Sequence, residues 1–155
     1  MGDGAYSSVY KVKRNEDGCV YALKKVKIAM MSNKDKENAI NEVRILSSIR
    51  HPNVVSYKEA FIDEDTQTLN LVMQLADGGD LLKMIQDRRR RKMHFRESQV
   101  WRVLIETVYG LRAMHEISVM HRDIKSANIF LCKNGEDDHL YQAKLGDMNV
   151  SKITQ

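Results

Sequence analysis

Apolar and polar residues alternate along the first part of the chain. Between residues 6 and 28, β-forming side chains recur on either side of a polar turn at 15–18, which predicts a hairpin of two antiparallel strands. From Ser32 the pattern changes, and apolar residues recur at every third position until His51 and Pro52. This spacing predicts one amphipathic helix, which Ser32 or Asn33 would cap. Its apolar positions are Ile40, Val43, Leu46 and Ile49.

Two further strand-like runs follow the predicted helix, at 54–57 and 69–73, on either side of a polar turn. Together with the hairpin they predict a small sheet accompanied by one helix. The glycine-containing segment 76–80 then interrupts the pattern, and the positions after it have a helical period. We therefore predict an α+β chain with a β-rich part at 1–75 and a mainly helical part at 76–155.

The longest amphipathic segment lies in the second part of the chain. Its apolar residues trace one face of a helix from about Glu97 to His115, and we expect that face to lie in a core. Two short strands, at 128–132 and 143–146, are predicted after this helix, with a polar loop between them. The residues of the predicted core face are Val100, Val103, Leu104, Val108 and Leu111.

Composition places the chain among globular proteins. Of its 155 residues, 43% are hydrophobic and 30% are charged, close to the average for folded domains. No apolar run approaches the ~18 residues of a membrane span, and the first residues lack the layout of a signal peptide. The two cysteines, Cys19 and Cys132, have no metal-binding spacing. We expect a soluble cytoplasmic protein with no membrane partner and with reduced thiols.

The net charge of +4 is concentrated in one basic run, at 88–92. Such a run could contact nucleic acid, but no aromatic stripe and no zinc-finger or basic-zipper pattern accompanies it. A solvated loop is the favoured interpretation, and nucleic-acid binding is the weaker alternative.

A glycine-containing stretch opens the chain. Gly2, Gly4 and Val9 fit the pattern G-x-G-x-x-G-x-V, in which missing side chains let backbone N–H groups approach phosphate oxygens, although Ser7 replaces the third glycine. A turn with two glycines between strands also has an ordinary structural explanation, so this motif is weak alone.

Two charged residues in the first part are candidates for a phosphate clamp. Lys24 ends the run Tyr-Ala-Leu-Lys on a predicted strand, where it can reach the α- and β-phosphates of a nucleotide. Glu42 lies on the predicted helix, from which it can pair with Lys24. Separately they could be an exposed strand lysine and a solvated helix residue. Together with the glycines they predict a clamp.

The most specific motif is H-R-D-I-K-S-A-N at 121–128. Asp123 would accept the proton of a substrate hydroxyl, and Asn128 would offer an amide oxygen to Mg²⁺. Lys125 would place a positive charge where a transferred phosphoryl group gathers negative charge. Asp147, which follows a predicted strand, would supply the second metal ligand, a carboxylate.

These motifs follow one another as in the eukaryotic protein kinase domain, which the chain resembles over virtually its whole length. Within that family it is most similar to the NIMA-related serine/threonine kinases. The resemblance implies a two-lobed fold, with 1–75 as a small antiparallel lobe and 76–155 as the hinge and the start of the helical lobe. It also implies ATP and Mg²⁺ as cofactors and a protein substrate with a Ser or Thr acceptor, for which Lys125 is typical. The segments that carry the NIMA-related likeness are 50–55, 76–81, 121–131 and 145–152.

The resemblance further implies an adenine pocket and a compartment. Val9 and Ala22 would lie above the ring and Phe130 below it, Met73 would limit its depth, and the backbone from Gln74 to Ala76 would form the hinge. The same residues could simply be core residues. The resemblance also implies a cytoplasmic location, in association with the cytoskeleton.

Two alternatives remain beside catalysis. The chain stops at Gln155 before an A-P-E motif, so we expect a fragment with negligible phosphotransfer by itself. Ser7, Met148 and Asn149 depart from the kinase motifs and are compatible with a pseudokinase-like nucleotide-binding or interaction module. The set that favours catalysis is Lys24, Glu42, Asp123, Asn128 and Asp147.

Overall fold

The computed structural model describes residues 2–3, 7–29, 31–133, 141–146 and 152–153. Its backbone divides into two compact units, which are described separately. The first comprises Met1–Ser48 and Ser56–Leu75, and the second comprises Ile49–Val55 and Ala76–Gln155. Residues 49–55 therefore belong with the second unit, although they precede residue 76 in the sequence.

Where the structure describes it, the first unit forms a five-stranded antiparallel sheet with one helix. The strand order is β1-β2-β3-β5-β4. The hairpin predicted from the alternating pattern is present. Its turn is fixed locally, because the carboxylate of Asp17 accepts the N–H of Cys19 at 2.8 Å and Gly18 adopts a φ of +68°. The elements are β1 (Gly2–Asp3), β2 (Ser7–Lys13), β3 (Val20–Lys27), α1 (Asn33–Ser48), β4 (Tyr57–Asp63) and β5 (Thr68–Gln74).

Helix α1 begins where the sequence predicts. The hydroxyl of Ser32 accepts the N–H of Asp35 at 3.2 Å, which is the bond of an N-cap. The predicted buried face is wrong in part, since Ile40 is 44% exposed whereas Ile45 is 3% exposed. The reason is geometric: a spacing of three residues drifts around a helix that has 3.6 residues per turn.

The strand predicted at 54–57 is wrong except at its last residue, Tyr57, where β4 begins. Val54 makes a single parallel bridge to Leu145, and the N–H of Val55 donates to the carbonyl of Leu145 at 2.8 Å, within the second unit. The strand of the first unit starts only at Tyr57. Local propensity predicts extended backbone here, but the partner of that backbone depends on contacts distant in sequence.

The described residues of the second unit form two helices, a short 3₁₀ turn at Ser126–Asn128 and two pairs of short antiparallel strands. The N-cap of its first helix is Asp80, whose carboxylate accepts the N–H of Lys83 at 2.8 Å. The elements are α2 (Leu81–Arg90), α3 (Glu97–Glu116), β6 (Val119–Met120), β7 (Ile129–Lys133), β8 (Tyr141–Leu145) and β9 (Lys152–Ile153). Strand β6 pairs with β9, and β7 pairs with β8.

The basic run departs from the loop that the sequence predicts. Arg88, Arg89 and Arg90 form the last turn of α2, and only Arg91 and Lys92 lie in the following turn. A helix C-terminus carries a partial negative charge, so arginine side chains are favourable there and do not require a loop.

Helix α3 forms at the predicted place, but its predicted core face is largely exposed. Val100, Leu104 and Val108 are each at least half exposed, whereas Gly110 and Met114 are buried. The buried side packs on β6 and β8. Apolar residues occur on more than one side of this helix, and periodicity alone cannot tell which side receives a neighbour. In the described ranges, no helix is both long and apolar enough to span a bilayer.

Candidate active site

A buried lysine lies on one face of the first unit's sheet. Along β3, Ala22, Lys24 and Val26 are buried at every second position, and Lys24 is only 6% exposed. Val9 of β2 is directly opposite Lys24, and Met73 of β5 is directly opposite Ala22. Because side chains of cross-strand partners share a face, the structure brings these predicted nucleotide-binding residues together on one side of the sheet.

Helix α1 covers that same face. Val26 and Leu71 belong to the hydrophobic core on this face of the sheet, and Ala39 and Val43 of α1 pack against that core. Glu42 precedes Val43 on this helix, but its side chain lies outside the described residues. Its ion pair with Lys24 therefore stays a prediction.

Three side chains of the H-R-D-I-K-S-A-N segment converge in the second unit. The ammonium group of Lys125 lies 2.7 Å from a carboxylate oxygen of Asp123. The amide nitrogen of Asn128 donates to the same oxygen and to the backbone carbonyl of Asp123, each at 2.9 Å. The 3₁₀ turn explains this closure, since it places Asn128 beside the carboxylate.

These contacts favour the charged form of the Asp123 carboxyl. The hydrogen bond from Lys125 is the main cause that lowers the pKa of Asp123 below its usual value, and the bond from Asn128 acts in the same direction. An aspartate is already ionised at neutral pH, and these bonds favour that charged form further, which makes the carboxylate a strong hydrogen-bond acceptor.

The buried ring of His121 holds this segment in place through two hydrogen bonds. Its ring is 1% exposed, and Nε2 lies 3.0 Å from the carbonyl oxygen of Gly146. Nδ1 accepts the N–H of Asp123 at 3.4 Å. Since a carbonyl can only accept, these two bonds assign the ring proton to Nε2. Arg122 adopts a φ of +66°, the left-handed region that costs a non-glycine residue roughly 1–2 kcal/mol.

The sequence reading missed the role of Gly146. Its N–H donates to the carbonyl of Asn128 at 3.1 Å. A Cβ at this position would lie 2.8 Å from ring carbons of Phe130 and 2.9 Å from Val55. The sequence signal that could have indicated this role is a glycine between the end of a predicted strand and an acidic residue. Close packing therefore ties the residue before Asp147 to the Asn128 backbone.

The donor atoms available at Asn128 suit a magnesium ion. Its amide nitrogen is committed to Asp123, which leaves the amide oxygen as the free lone-pair donor, and Mg²⁺ prefers oxygen ligands. Asn128 therefore offers one oxygen ligand of the kind that the predicted metal prefers, while the part of the chain that the structure describes contains no group of three His, Cys, Asp or Glu side chains that could hold a metal ion. The second predicted ligand, Asp147, lies outside the described residues, as do Met148, Asn149 and Gly4.

The residues predicted around adenine are distributed over both units. The N–H of Gln74 donates to the carbonyl of Ser56 at 2.8 Å, and the carbonyl of Ala76 accepts the N–H of Gly79 at 3.3 Å. Phe130 is half-buried in β7, opposite Lys144 of β8. Gly2, in β1, pairs with Val9. The adenine pocket needs members from both units and stays a prediction.

Comparison with known proteins identifies the class. The sequence profile of the protein kinase domain family matches residues 1–155, so the chain belongs to that family. This confirms the resemblance to protein kinases and the α+β kinase fold expected from the sequence.

Similar proteins include several kinases named Nek. Serine/threonine-protein kinase Nek1 of Mus musculus is 35% identical over 99% of this chain, which spans 12% of that protein. A probable serine/threonine-protein kinase nek2 of Dictyostelium discoideum is 35% identical, again over 99% of the chain and over 36% of its own length. Nek2 of Mus musculus is 33% identical over 99% of the chain and 34% of its length. The likeness to NIMA-related kinases is thereby confirmed, and the chain spans about a third or less of these relatives.

Proposed function

We propose that the protein carrying this chain is an ATP-dependent serine/threonine protein kinase, which transfers the γ-phosphoryl group of ATP to a hydroxyl of a protein substrate. The observation that carries the proposal is the network of Asp123, Lys125 and Asn128, held by buried His121. The names of the similar Nek proteins support the same activity.

The network suggests how the acceptor is positioned. The substrate hydroxyl donates a hydrogen bond to the Asp123 carboxylate, which is ionised before the transfer. The hydroxyl oxygen then bonds to the γ-phosphorus, the bond from that phosphorus to the bridging oxygen breaks, and ADP leaves with the electron pair. Asp123 receives the hydroxyl proton. Lys125 lies beside this carboxylate, where its charge can stabilise the phosphoryl oxygens.

Other residues would hold the nucleotide. Buried Lys24 would bind phosphate oxygens, and Val9, Ala22 and Met73, on its face of the sheet, would contact the base. Asn128 and Asp147 would hold Mg²⁺, which supplies positive charge against the phosphate oxygens when bound.

A direct test compares two aspartates in the full-length protein. Asp123→Asn keeps the shape of the side chain and removes the acceptor charge, so we expect phosphotransfer from radiolabelled ATP to casein to fall by roughly 10²–10⁴-fold. The matched control is Asp65→Asn, in an exposed turn of the first unit, which should leave the rate unchanged.

The outcomes separate the two candidate functions. Loss of transfer with retained ATP binding in the Asp123→Asn protein supports catalysis. A wild-type protein that binds ATP but transfers no phosphate would instead indicate a pseudokinase-like module. Near-normal kcat/KM for Asp123→Asn would contradict the assignment of this residue.

The acceptor type and the compartment are further parts of the proposal. Phosphoamino-acid analysis of the labelled casein should give phosphoserine and phosphothreonine without phosphotyrosine. A cytoplasmic location stays a prediction, which fluorescence microscopy of the tagged full-length protein can test.

A further inference from the structure

The second unit contains a cavity that the phosphotransfer site does not use. It measures about 380 Å³ and lies between α2, the start of α3 and the β7–β8 pair. This volume is at the lower end of the ~300–1,000 Å³ range typical of ligand pockets. Apolar side chains make up much of its lining, notably Met84, Ile85, Phe95, Val100, Val103 and Tyr141.

The mouth of this cavity keeps apolar surface in contact with water. Val100 is 54% exposed and Ile85 is 39% exposed, and Met93 nearby in the chain is 53% exposed. Binding of a ligand that covers exposed apolar groups at a concave site is favourable, because it removes apolar surface from water.

The guanidinium group of Arg88 holds one side of the cavity in place. The guanidinium carbon of Arg88 lies 4.4 Å from the centroid of the Phe95 ring, and the same group donates to the carbonyl of His94 at 3.0 Å. These contacts tie the segment after α2 back to the helix. The groove formed by α2, this segment and α3 is therefore built before any ligand arrives, which lowers the entropy cost of binding.

Basic residues occur both in the cavity lining, as Arg96 and Arg102, and in the neighbouring last turn of α2. Arg90 and Arg91 both pair with Asp87. Arg89 and Arg102 make no ion pair with any described residue, and both are exposed. Favourable interaction with the end of α2 explains the arginines in its last turn, but not Arg102, which lies on α3 and lines the cavity.

From this juxtaposition we propose that the groove between α2 and α3 is a docking site for a short peptide segment that carries apolar side chains next to Asp or Glu residues. The apolar side chains fill the cavity, and the acidic residues face Arg89 and Arg102. Nucleic acid would use the basic residues but would leave the apolar cavity uncovered. Docking of this kind requires neither ATP nor the proposed phosphotransfer.

Selection of peptides tests the chemistry of the ligand. Short random peptides displayed on phage are selected on the immobilised full-length protein without nucleotide. Enriched peptides should combine acidic residues with Leu, Ile, Met or Phe. Absence of enrichment, or enriched peptides that contain no acidic residue, would overturn the proposal.

Variants then locate the site by fluorescence anisotropy with an enriched, labelled peptide. Val100→Glu, at the exposed mouth, and the double variant Arg89→Glu with Arg102→Glu should each raise Kd about tenfold or more. Val108→Glu, two turns further along α3 and outside the cavity, is the control for the apolar change. Lys34→Glu with Lys58→Glu, on exposed positions of the first unit, is the control for the charge change.

Three results would each refute the assignment. One is unchanged peptide affinity in both groove variants. Another is a loss of affinity in the controls equal to that in the groove variants. The third is self-association of the protein, measured by sedimentation, that Val100→Glu abolishes and the peptide inhibits, because the groove would then bind a second copy.

Discussion

The contact between α3 and Asn53 can be probed by adding a single methyl group. A Cβ built on Gly110 would overlap the carbonyl oxygen of Asn53 and would lie 3.2 Å from its carbonyl carbon and 3.3 Å from a methyl carbon of Leu145. That carbonyl oxygen also accepts the N–H of Leu145 at 2.8 Å. The change Gly110→Ala therefore affects packing and a buried hydrogen bond together.

Opposing energy contributions decide whether Gly110→Ala stabilises or destabilises the protein. Alanine in place of glycine inside a helix stabilises by about 1 kcal/mol. Overpacking costs about 1–3 kcal/mol, and a disturbed buried hydrogen bond costs about 1 kcal/mol more. Backbone atoms cannot rotate away as a side chain can, so relaxation is incomplete and we take about 2 kcal/mol for the overpacking. We expect net destabilisation of about 2 kcal/mol.

Thermal unfolding of the full-length protein measures this difference. At about 2–4 °C per kcal/mol for a domain of this size or somewhat larger, Tm should fall by roughly 4–8 °C. Hydrogen exchange should accelerate in peptides that cover Asn53 and Leu145. The control Val108→Ala, at a position that is 52% exposed, should change the free energy of unfolding by less than about 0.5 kcal/mol. An unchanged or higher Tm for Gly110→Ala would show that helix propensity outweighs the contact and would refute the reasoning.

Three further predictions concern the proposed active site. Lys24→Met should reduce phosphotransfer by at least about 10²-fold, whereas Lys25→Met, on the exposed side of β3, should not, as steady-state assays of both will show. Lys125 lowers the pKa of Asp123, so Lys125→Met should raise that pKa. In a plot of kcat against pH, the fall in rate on the acid side should then occur at a higher pH. A fall that stays at the same pH would contradict this cause. Asp147→Asn should abolish the response of turnover to Mg²⁺ concentration, while Asn149→Gly, which removes no predicted metal ligand, should retain it.

The sequence predicted local structure where local chemistry decides it. The turn at Asp17 and Gly18, the cap at Ser32 and the long helix α3 depend on neighbouring residues, so pattern and propensity were sufficient. The motif around Asp123 was also recognisable, because its residues lie within eight consecutive positions, and a local 3₁₀ turn brings Asn128 into hydrogen-bonding distance of Asp123.

Tertiary structure decided which surfaces are buried and which chain segments meet. Val54 was predicted to join a strand of the first unit but pairs with Leu145, and Val100 was predicted to lie in the core but is exposed. In both cases the sequence specifies an apolar residue in the correct local conformation, and the missing information is its partner. Burial depends on neighbours that are distant along the chain, whose contacts no local period encodes. For the same reason the need for glycine at Gly110, set by a backbone carbonyl more than fifty residues away, became visible only in the fold.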